Sequence, residues 1–153
     1  MIRSILVVCR GNVCRSPMGS GLLARMLPDV EVTSAGLDAL DGCPADPAVV
    51  DLMSRVGVDI SAHKSRRING HIVANADLIL AMDVNQKQHV ERRYVAARGR
   101  VFRVCESDGM DVGDPYLLGR HHYARAMEQL IEGMSGWATK IGLLESWGAK
   151  VHG

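Results

Sequence analysis

Short apolar runs alternate with longer amphipathic segments along this chain, and this alternation constrains its fold more than any other feature. The runs predict four β-strands, and the segment DLILAM is apolar almost throughout, as in a central strand buried on both faces. Strands separated by helices are typical of βαβ units. The sequence therefore predicts a three-layer α/β fold, a four-stranded parallel twisted sheet with helices on both faces. The predicted strands span residues 4–9, 30–35, 77–82 and 100–105.

The amphipathic segments predict helices between and after these strands. Ser16 is a suitable N-cap and Pro17 a suitable first residue for the first helix, which runs to about residue 27 and ends at Pro28. The last helix, from residue 120 to about 144, is weakened at Gly133 and Gly136. Further helices are predicted at 48–56 and 84–93, loops at 36–47 and 107–116, and possible caps at Ser61 and Ser65.

Length and composition favour a single domain over residues 1–153, with 47% hydrophobic residues to form its core. The net charge of +1 gives no reason to expect nucleic acid as a partner. No apolar run approaches the roughly 20 residues needed to cross a bilayer, and the N-terminus lacks a signal-peptide cleavage site. We therefore expect a cytoplasmic protein that does not insert into membranes.

Two polar loops follow predicted strands. CRGNVCRS, residues 9–16, follows the first strand, and DVGDPY, residues 111–116, lies beyond the fourth. Parallel α/β sheets bind ligands at the carboxyl ends of their strands, beside the point where the strand order reverses. We therefore expect the two loops to share one edge of the sheet.

The first loop has the features of an anion-binding site. It precedes a helix N-terminus, where unpaired N–H groups and the helix dipole attract phosphate. Gly11 permits close approach or a positive φ, and Asn12 tolerates the left-handed conformation. The guanidinium of Arg15 can bind two phosphate oxygens at once. These residues predict that the loop holds a phosphate group.

Cys9 would make this anion site reactive. Helix N-termini and nearby cations favour the thiolate, and Cys9 lies close in sequence to Arg15 and to the hydroxyl of Ser16. A thiolate beneath a bound phosphate indicates phosphoryl transfer through a cysteinyl-phosphate. Packing alone would explain a lone cysteine at a strand end, but the spacing of the loop residues favours catalysis. For Cys14, packing and function are equally well supported.

Residues 9–16 match the signature C-x-G-N-x-C-R-S, and the chain resembles the low molecular weight protein tyrosine phosphatases. Further matches cover nearly the whole chain: SAGL (34–37), PADP (44–47), SAHKSRRI (61–68), ADLILAMD (76–83) and DPY (114–116). The resemblance implies the phosphotyrosine phosphatase I-like fold and hydrolysis of phosphotyrosine.

The resemblance also implies roles for single residues. Cys9 is the nucleophile, Arg15 binds phosphate, and Asp114 is the general acid and base. Ser16 stabilises the thiolate, and Ser34 supports the loop that Asn12 shapes. The substrate-binding set that it implies is Arg10, Gly11, Asn12, Val13, Cys14, Ser16, Leu40 and Tyr116.

Leaving-group chemistry supports the role of Asp114. A tyrosine that leaves as phenolate has a conjugate acid of pKa about 10, so protonation assists its departure. Pro115 restricts Asp114 to an extended backbone, which helps to aim the carboxylate into the cleft.

The rim of the cleft points to a particular branch of the family. Leu40 and Tyr116 match residues that line the cleft walls, and leucine at position 40 resembles the bacterial branch linked to exopolysaccharide production. The partners that this branch implies are tyrosine autokinases with phosphorylated tails. For Arg10 two interpretations stay open, a preference for acidic residues beside the phosphotyrosine and a solvated rim charge.

Cysteines occur at positions 9, 14, 43 and 105, with no C-x-x-C pair, which argues against a zinc knuckle or a thioredoxin-type motif. The family resemblance implies a reversible redox pair of Cys9 and Cys14. A loop that curls around a phosphate can bring their Cα atoms within the ~4.4–6.8 Å that a disulfide requires.

Two other functions share parts of this pattern. Thiol-type arsenate reductases have the same fold and loop, but they use further cysteines after the third strand, and residues 81–104 contain none. A catalytically silent phosphotyrosine-binding module would not require Cys9, Arg15 and Asp114 together. His121 and His122, about 100° apart on a helix, make a poor metal pair. We therefore expect a phosphatase without cofactor or metal.

Overall fold

The computed structural model describes residues 1–116 and 118–152, and the side chains among them up to Leu143. Its elements are β1 (Ser4–Cys9), α1 (Arg15–Met26), β2 (Glu31–Gly36), α2 (Pro47–Arg55), α3 (Gly70–Ala74), β3 (Leu78–Ala81), α4 (Val84–Arg93), β4 (Val101–Arg103) and α5 (Arg120–His152), with a 3₁₀ turn at Val95–Ala97.

The four strands form one parallel sheet in the order β2-β1-β3-β4. In its register Cys9 pairs with Gly36, and Ala81 pairs with both Val8 and Arg103. The carboxyl ends of all four strands therefore lie at one edge. The chain leaves β1 on one side for β2 and returns on the other for β3, so the strand order reverses beside the loop that follows β1.

Helices cover both faces of this sheet. One core packs α1, α2 and α5 against Ile5, Val7 and Leu80, and the other packs α3 and α4 against Leu6 and Val8. Successive side chains of β1 enter opposite cores because side chains alternate along a strand. The predicted three-layer α/β fold is confirmed.

The start of α1 differs from the prediction. The helix begins at Arg15, and its N-cap residue is Cys14, which makes no side-chain cap hydrogen bond. Ser16 is not the N-cap, because its hydroxyl hydrogen-bonds Cys9 Sγ and accepts from the Asn12 side chain. A residue type that favours caps thus lies inside the first turn of the helix, and its side chain binds the preceding loop.

Gly133 and Gly136, at which a weakened helix was predicted, do not interrupt α5, which runs unbroken from Arg120 to His152, beyond the predicted end near residue 144. A Cβ at Gly133 would lie 2.7 Å from Val104 Cγ1 and 2.9 Å from Val104 O. Gly133 therefore serves close packing of the helix against the chain just after β4. Nothing in the structure explains Gly136. No helix in the described ranges is long and apolar enough to cross a membrane.

The strands β3 and β4 are shorter than predicted, and side chains bind backbone groups next to their ends. The Asp77 carboxylate accepts from the N–H groups of Arg3 and Ser4, and β3 begins only at Leu78. Glu106 accepts from the N–H of Arg103, the last residue of β4. Neither predicted cap precedes a helix: the Ser61 N–H binds Asp59, and the Ser65 hydroxyl binds Leu40 O. The short helix α3 was not predicted, although Asn69 caps it by accepting from Ile72 N–H.

Candidate active site

The loop 9–16 joins β1 to α1, and flanking segments hold its carbonyl groups from outside. The N–H of Leu37 binds Cys9 O (2.9 Å), that of Asp38 binds Arg10 O (2.9 Å), that of Asp46 binds Val13 O (2.8 Å), and His63 Nε2 binds Asn12 O (2.7 Å). In a trans peptide the C=O and the next residue's N–H point in opposite directions. The N–H groups of Arg10, Gly11, Val13 and Cys14 therefore point into the loop, where they can bind an oxyanion.

Asn12 supplies the special backbone conformation of the loop. Its φ is +57°, so it lies in the left-handed region that its residue type tolerates. Gly11 is not among the residues of positive φ, and a Cβ there would meet only Val13 Cγ2, at 3.8 Å. The left-handed turn therefore depends on Asn12, and a Cβ at position 11 would make no close contact in this structure.

Hydrogen bonds to Asn12 fix the direction of a buried network. Asn12 Oδ1 accepts from the Arg66 N–H at 2.9 Å, so Nδ2 is the donor to Ser16 Oγ at 2.8 Å and to Ser34 Oγ at 2.9 Å. Since Ser16 Oγ already accepts from this amide, its own proton is available for Cys9 Sγ, 2.9 Å away. The network thus aims a hydroxyl proton at the sulfur.

The Cys9 sulfur lies at the end of β1 among hydrogen-bond donors. Its Sγ accepts from the N–H groups of Asn12 at 3.3 Å and Ser16 at 3.4 Å, in addition to the Ser16 hydroxyl. All three donors stabilise negative charge on the sulfur. The structure describes Cys9 as a free cysteine.

Arg15 joins this loop to the segments that follow β3 and β4. Its guanidinium is almost fully buried, with 5% of the side chain exposed, and Nη1 donates to Val112 O at 2.8 Å. Asp83 Oδ2 lies 3.8 Å from Nη1 and Asp114 Oδ2 lies 3.6 Å from Nη2. Burial between two carboxylates fixes a side chain that is otherwise long and flexible.

The loop that carries Asp114 is anchored at Val112. The Val112 N–H binds Met82 O at 2.8 Å, and its carbonyl accepts from Arg15. Asp114 itself is 52% exposed, and its Oδ1 accepts from the Tyr116 N–H at 3.0 Å. The carboxylate therefore lies beside the guanidinium while it remains open to a ligand that enters from solvent.

Exposed apolar and charged side chains occur on the flanking loops. Leu40 and Tyr116 are 77% and 55% exposed, an exposure at which an apolar side chain can contact an aromatic ligand. Arg10 forms an exposed ion pair with Asp38.

Ser34 supports the loop from β2. It accepts from Asn12 through its hydroxyl and from Arg66 Nε through its carbonyl, at 2.9 Å in both cases.

Cys14, the N-cap residue of α1 at the end of the loop, is buried. Burial, with a smaller contribution from the charge of Cys9, raises the pKa of the Cys14 thiol far above its ordinary value. Cys14 is therefore a protonated thiol at neutral pH.

Several residues that position the site were not predicted from the sequence: Asp46, His63, Arg66, Asp83 and Val112. All five lie in segments that the sequence singled out, PADP, SAHKSRRI, ADLILAMD and DVGDPY, so position in such a segment was the available signal. Their contacts join distant parts of the chain, which spacing does not reveal. Within the described residues, no three His, Cys, Asp or Glu side chains form a group that could hold a metal ion.

A parallel α/β sheet that carries a thiol inside an oxyanion-binding loop has the architecture of a cysteine-dependent phosphatase. The model of the family described as low molecular weight phosphotyrosine protein phosphatase matches residues 4–145. A relative from Ralstonia nicotianae, a probable low molecular weight protein-tyrosine-phosphatase EpsP, is 46% identical over 141 residues, 92% of this chain and 97% of that protein.

Solved structures agree with this match. Vibrio vulnificus Wzb in complex with benzylphosphonate has a TM-score of 0.89 at 32% identity, and the likeness covers 92% of this chain and 99% of that one. The YwlE arginine phosphatase from Geobacillus stearothermophilus has a TM-score of 0.88 at 30% identity, over 94% and 95% of the two chains.

The chain belongs to the low molecular weight protein tyrosine phosphatase family, and it is a protein tyrosine phosphatase. The resemblance drawn from the sequence, including that to the bacterial exopolysaccharide-associated branch, is confirmed.

Proposed function

We propose that residues 1–153 form one domain that hydrolyses phosphotyrosine in proteins through a cysteinyl-phosphate on Cys9. The observation that carries the mechanism is the position of Cys9 Sγ, which has three hydrogen-bond donors within 3.4 Å and lies in the loop whose Arg15 is 3.6 Å from Asp114. A nucleophile, an anion-binding group and an acid thus belong to one connected set of contacts.

In the first step Cys9 attacks the phosphorus in line with the tyrosyl oxygen. The S–P bond forms as the P–O bond breaks, and Asp114 gives its proton to the departing phenol oxygen. The loop N–H groups and Arg15 bind the three equatorial oxygens and stabilise their negative charge throughout the transfer.

In the second step water attacks the cysteinyl-phosphate. Asp114 is now ionised and takes a proton from the water, the new P–O bond forms, and the S–P bond breaks to release phosphate and the Cys9 thiolate. The Ser16 hydroxyl, 2.9 Å from Sγ, stabilises the thiolate as leaving group.

The substrate we propose is a tyrosine autokinase in bacterial polysaccharide production. Membership of the same branch as EpsP and Wzb supports this assignment. The exposure of Leu40 and Tyr116 also supports it, because it leaves both side chains available to contact the phenyl ring of a phosphotyrosine. A phosphorylated kinase tail and a free active-site thiol both fit a cytoplasmic location.

Matched phosphopeptides test this function. Peptides of one sequence that carry phosphotyrosine, phosphoserine or phosphoarginine are assayed for phosphate release in excess chelator. We expect turnover of the phosphotyrosine peptide alone. Faster release from phosphoarginine would instead assign the activity named for the YwlE structure, and binding without release would indicate a phosphotyrosine-binding module. In the native host, a Cys9→Ser variant should capture the autokinase.

Ser16→Ala should lower kcat for p-nitrophenyl phosphate by about 10- to 100-fold, because hydrogen bonds to charged groups contribute about 1.5–3 kcal/mol. The alanine removes the hydroxyl that donates to Cys9 Sγ but leaves the Ser16 N–H in place. Steady-state kinetics measure the loss. The matched control is Ser20→Ala on the same helix, whose hydroxyl binds Pro17 O and which should retain wild-type kcat. Equal kinetics of the two variants would contradict the role of Ser16.

Peroxide should convert Cys9 and Cys14 into a disulfide that a thiol reductant reverses. Peroxide oxidises the Cys9 thiolate to a sulfenic acid, and attack by Cys14 sulfur forms the S–S bond with loss of water. Because burial raises the pKa of Cys14, its thiolate fraction is small, and disulfide formation should accelerate as the pH rises. Peptide mass mapping detects the bond. After peroxide and then reductant, Cys14→Ser should recover little of its activity, while the control Cys43→Ser should recover fully. Equal recovery of activity in the two variants would show that Cys14 serves only in packing.

A further inference from the structure

Tyr123 connects the start of α5 to the N-terminus of α2. Its side chain is buried, with 6% of the residue exposed, and its hydroxyl donates to Asp46 Oδ2 at 2.9 Å. The other oxygen of this carboxylate, Oδ1, accepts from the Ala48 N–H at 2.9 Å and so caps α2. Two donors on different helices therefore fix the Asp46 side chain in both position and rotation.

The main chain of Asp46 in turn holds the phosphate loop. Its N–H donates to Val13 O at 2.8 Å. Since the C=O of Val13 and the N–H of Cys14 belong to one trans peptide, this bond turns the Cys14 N–H into the loop. Displacement of Asp46 would rotate that peptide and withdraw one of the donors that face the phosphate.

We propose that Tyr123 is a positioning residue for catalysis, which acts through Asp46 to hold the Val13–Cys14 peptide in its phosphate-binding orientation. The inference rests on the proposed function in that it assigns phosphate to this loop. Tyr123 lies on α5, outside the loop and outside every segment that matched the family signature, and it follows the loop of Asp114 by only a few residues.

The test compares Tyr123→Phe, which keeps the ring and removes the hydroxyl, with Asp46→Ser, which keeps a helix cap but cannot reach Tyr123. Loss of one buried hydrogen bond should lower kcat/KM about 2- to 10-fold in each variant. The dissociation constant of inorganic phosphate, measured by calorimetry, should rise by a similar factor. The loss should be the same for aryl phosphates with good and poor leaving groups, because the bond orients the phosphate loop and not the acid.

A double variant separates this role from general stabilisation. If Tyr123 acts through Asp46, the double variant should lose no more than the larger single loss. The control is Tyr94→Phe, since no hydrogen bond of the Tyr94 hydroxyl is found among the described residues; it should leave both constants unchanged.

Three outcomes would overturn the proposal: a lower melting temperature of Tyr123→Phe with unchanged phosphate affinity and kcat/KM, additive losses in the double variant, or a loss that grows with the pKa of the leaving group. Phosphate affinity is measured without turnover. A chain that failed to hydrolyse phosphotyrosine would therefore refute the proposed function and still permit this test.

Discussion

Replacement of Cys9 by serine should lower kcat for p-nitrophenyl phosphate by about 10⁶-fold, the order of loss expected when a catalytic nucleophile is removed. A serine hydroxyl is not ionised at neutral pH, so a far weaker nucleophile than a thiolate faces the phosphorus. The loop N–H groups and Arg15 remain in place, because their partners lie in other segments of the chain. The variant should therefore still bind phosphate and vanadate, as calorimetry or competition would measure.

Cys43→Ser is the matched control for this experiment. Cys43 is partly exposed. Its N–H donates to the Ser65 hydroxyl, and its carbonyl accepts from the Ser65 N–H. The control should keep wild-type kcat. Two results would contradict the mechanism: turnover by Cys9→Ser within about 10-fold of wild type, and wild-type activity that disappears in chelator and returns with a divalent ion.

Local sequence rules predicted those elements whose ends are determined by nearby residues. The bounds of β1 agree with the prediction because an apolar run stops at a polar loop. Those of α4 agree because Asp83 caps the helix locally, with Oδ1 accepting from the Gln86 N–H at 2.7 Å. In both cases the determining contact spans only a few residues.

Local rules failed where a contact that the residue type does not reveal decided the outcome. Ser16 has the residue type of an N-cap, but the sulfur of Cys9 and the amide of Asn12 take its hydroxyl. Gly133 has the residue type of a helix breaker, but the chain after β4 approaches it too closely for a side chain. The residue type of Ser16 or Gly133 indicates a local conformational propensity, but it does not reveal the contact in the folded chain that overrides this propensity.

The same distinction applies to the candidate site. The loop residues could be assigned because they are contiguous and match a signature. Tyr123 and His63 could not, since each contacts the site through a partner about 50 residues away or more, with separations of 77 for Tyr123–Asp46 and 51 for His63–Asn12. These contacts exist only once the sheet order has brought the segments together.

Asp114→Asn should slow hydrolysis of phosphotyrosine by about 10²- to 10⁴-fold, the usual contribution of a positioned acid. Asparagine keeps the size of the side chain and its ability to accept from the Tyr116 N–H, but it cannot give a proton to the phenol oxygen. The loss should shrink as the leaving group becomes a better anion, so kcat/KM is measured for a series of aryl phosphates.

The matched control for that series is Asp111→Asn, three residues earlier in the same loop. Asp111 pairs with Arg103 at 2.9 Å and accepts from the Val84 N–H at 3.2 Å, so its contacts are directed away from Arg15. This variant should show a small loss that does not depend on the leaving group, because it alters only the support of the loop. Asp114 is the proton donor only if its own loss rises with the pKa of the leaving phenol. If both variants lose activity uniformly across the series, the carboxylate beside Arg15 serves to hold the guanidinium, and another group must protonate the phenol.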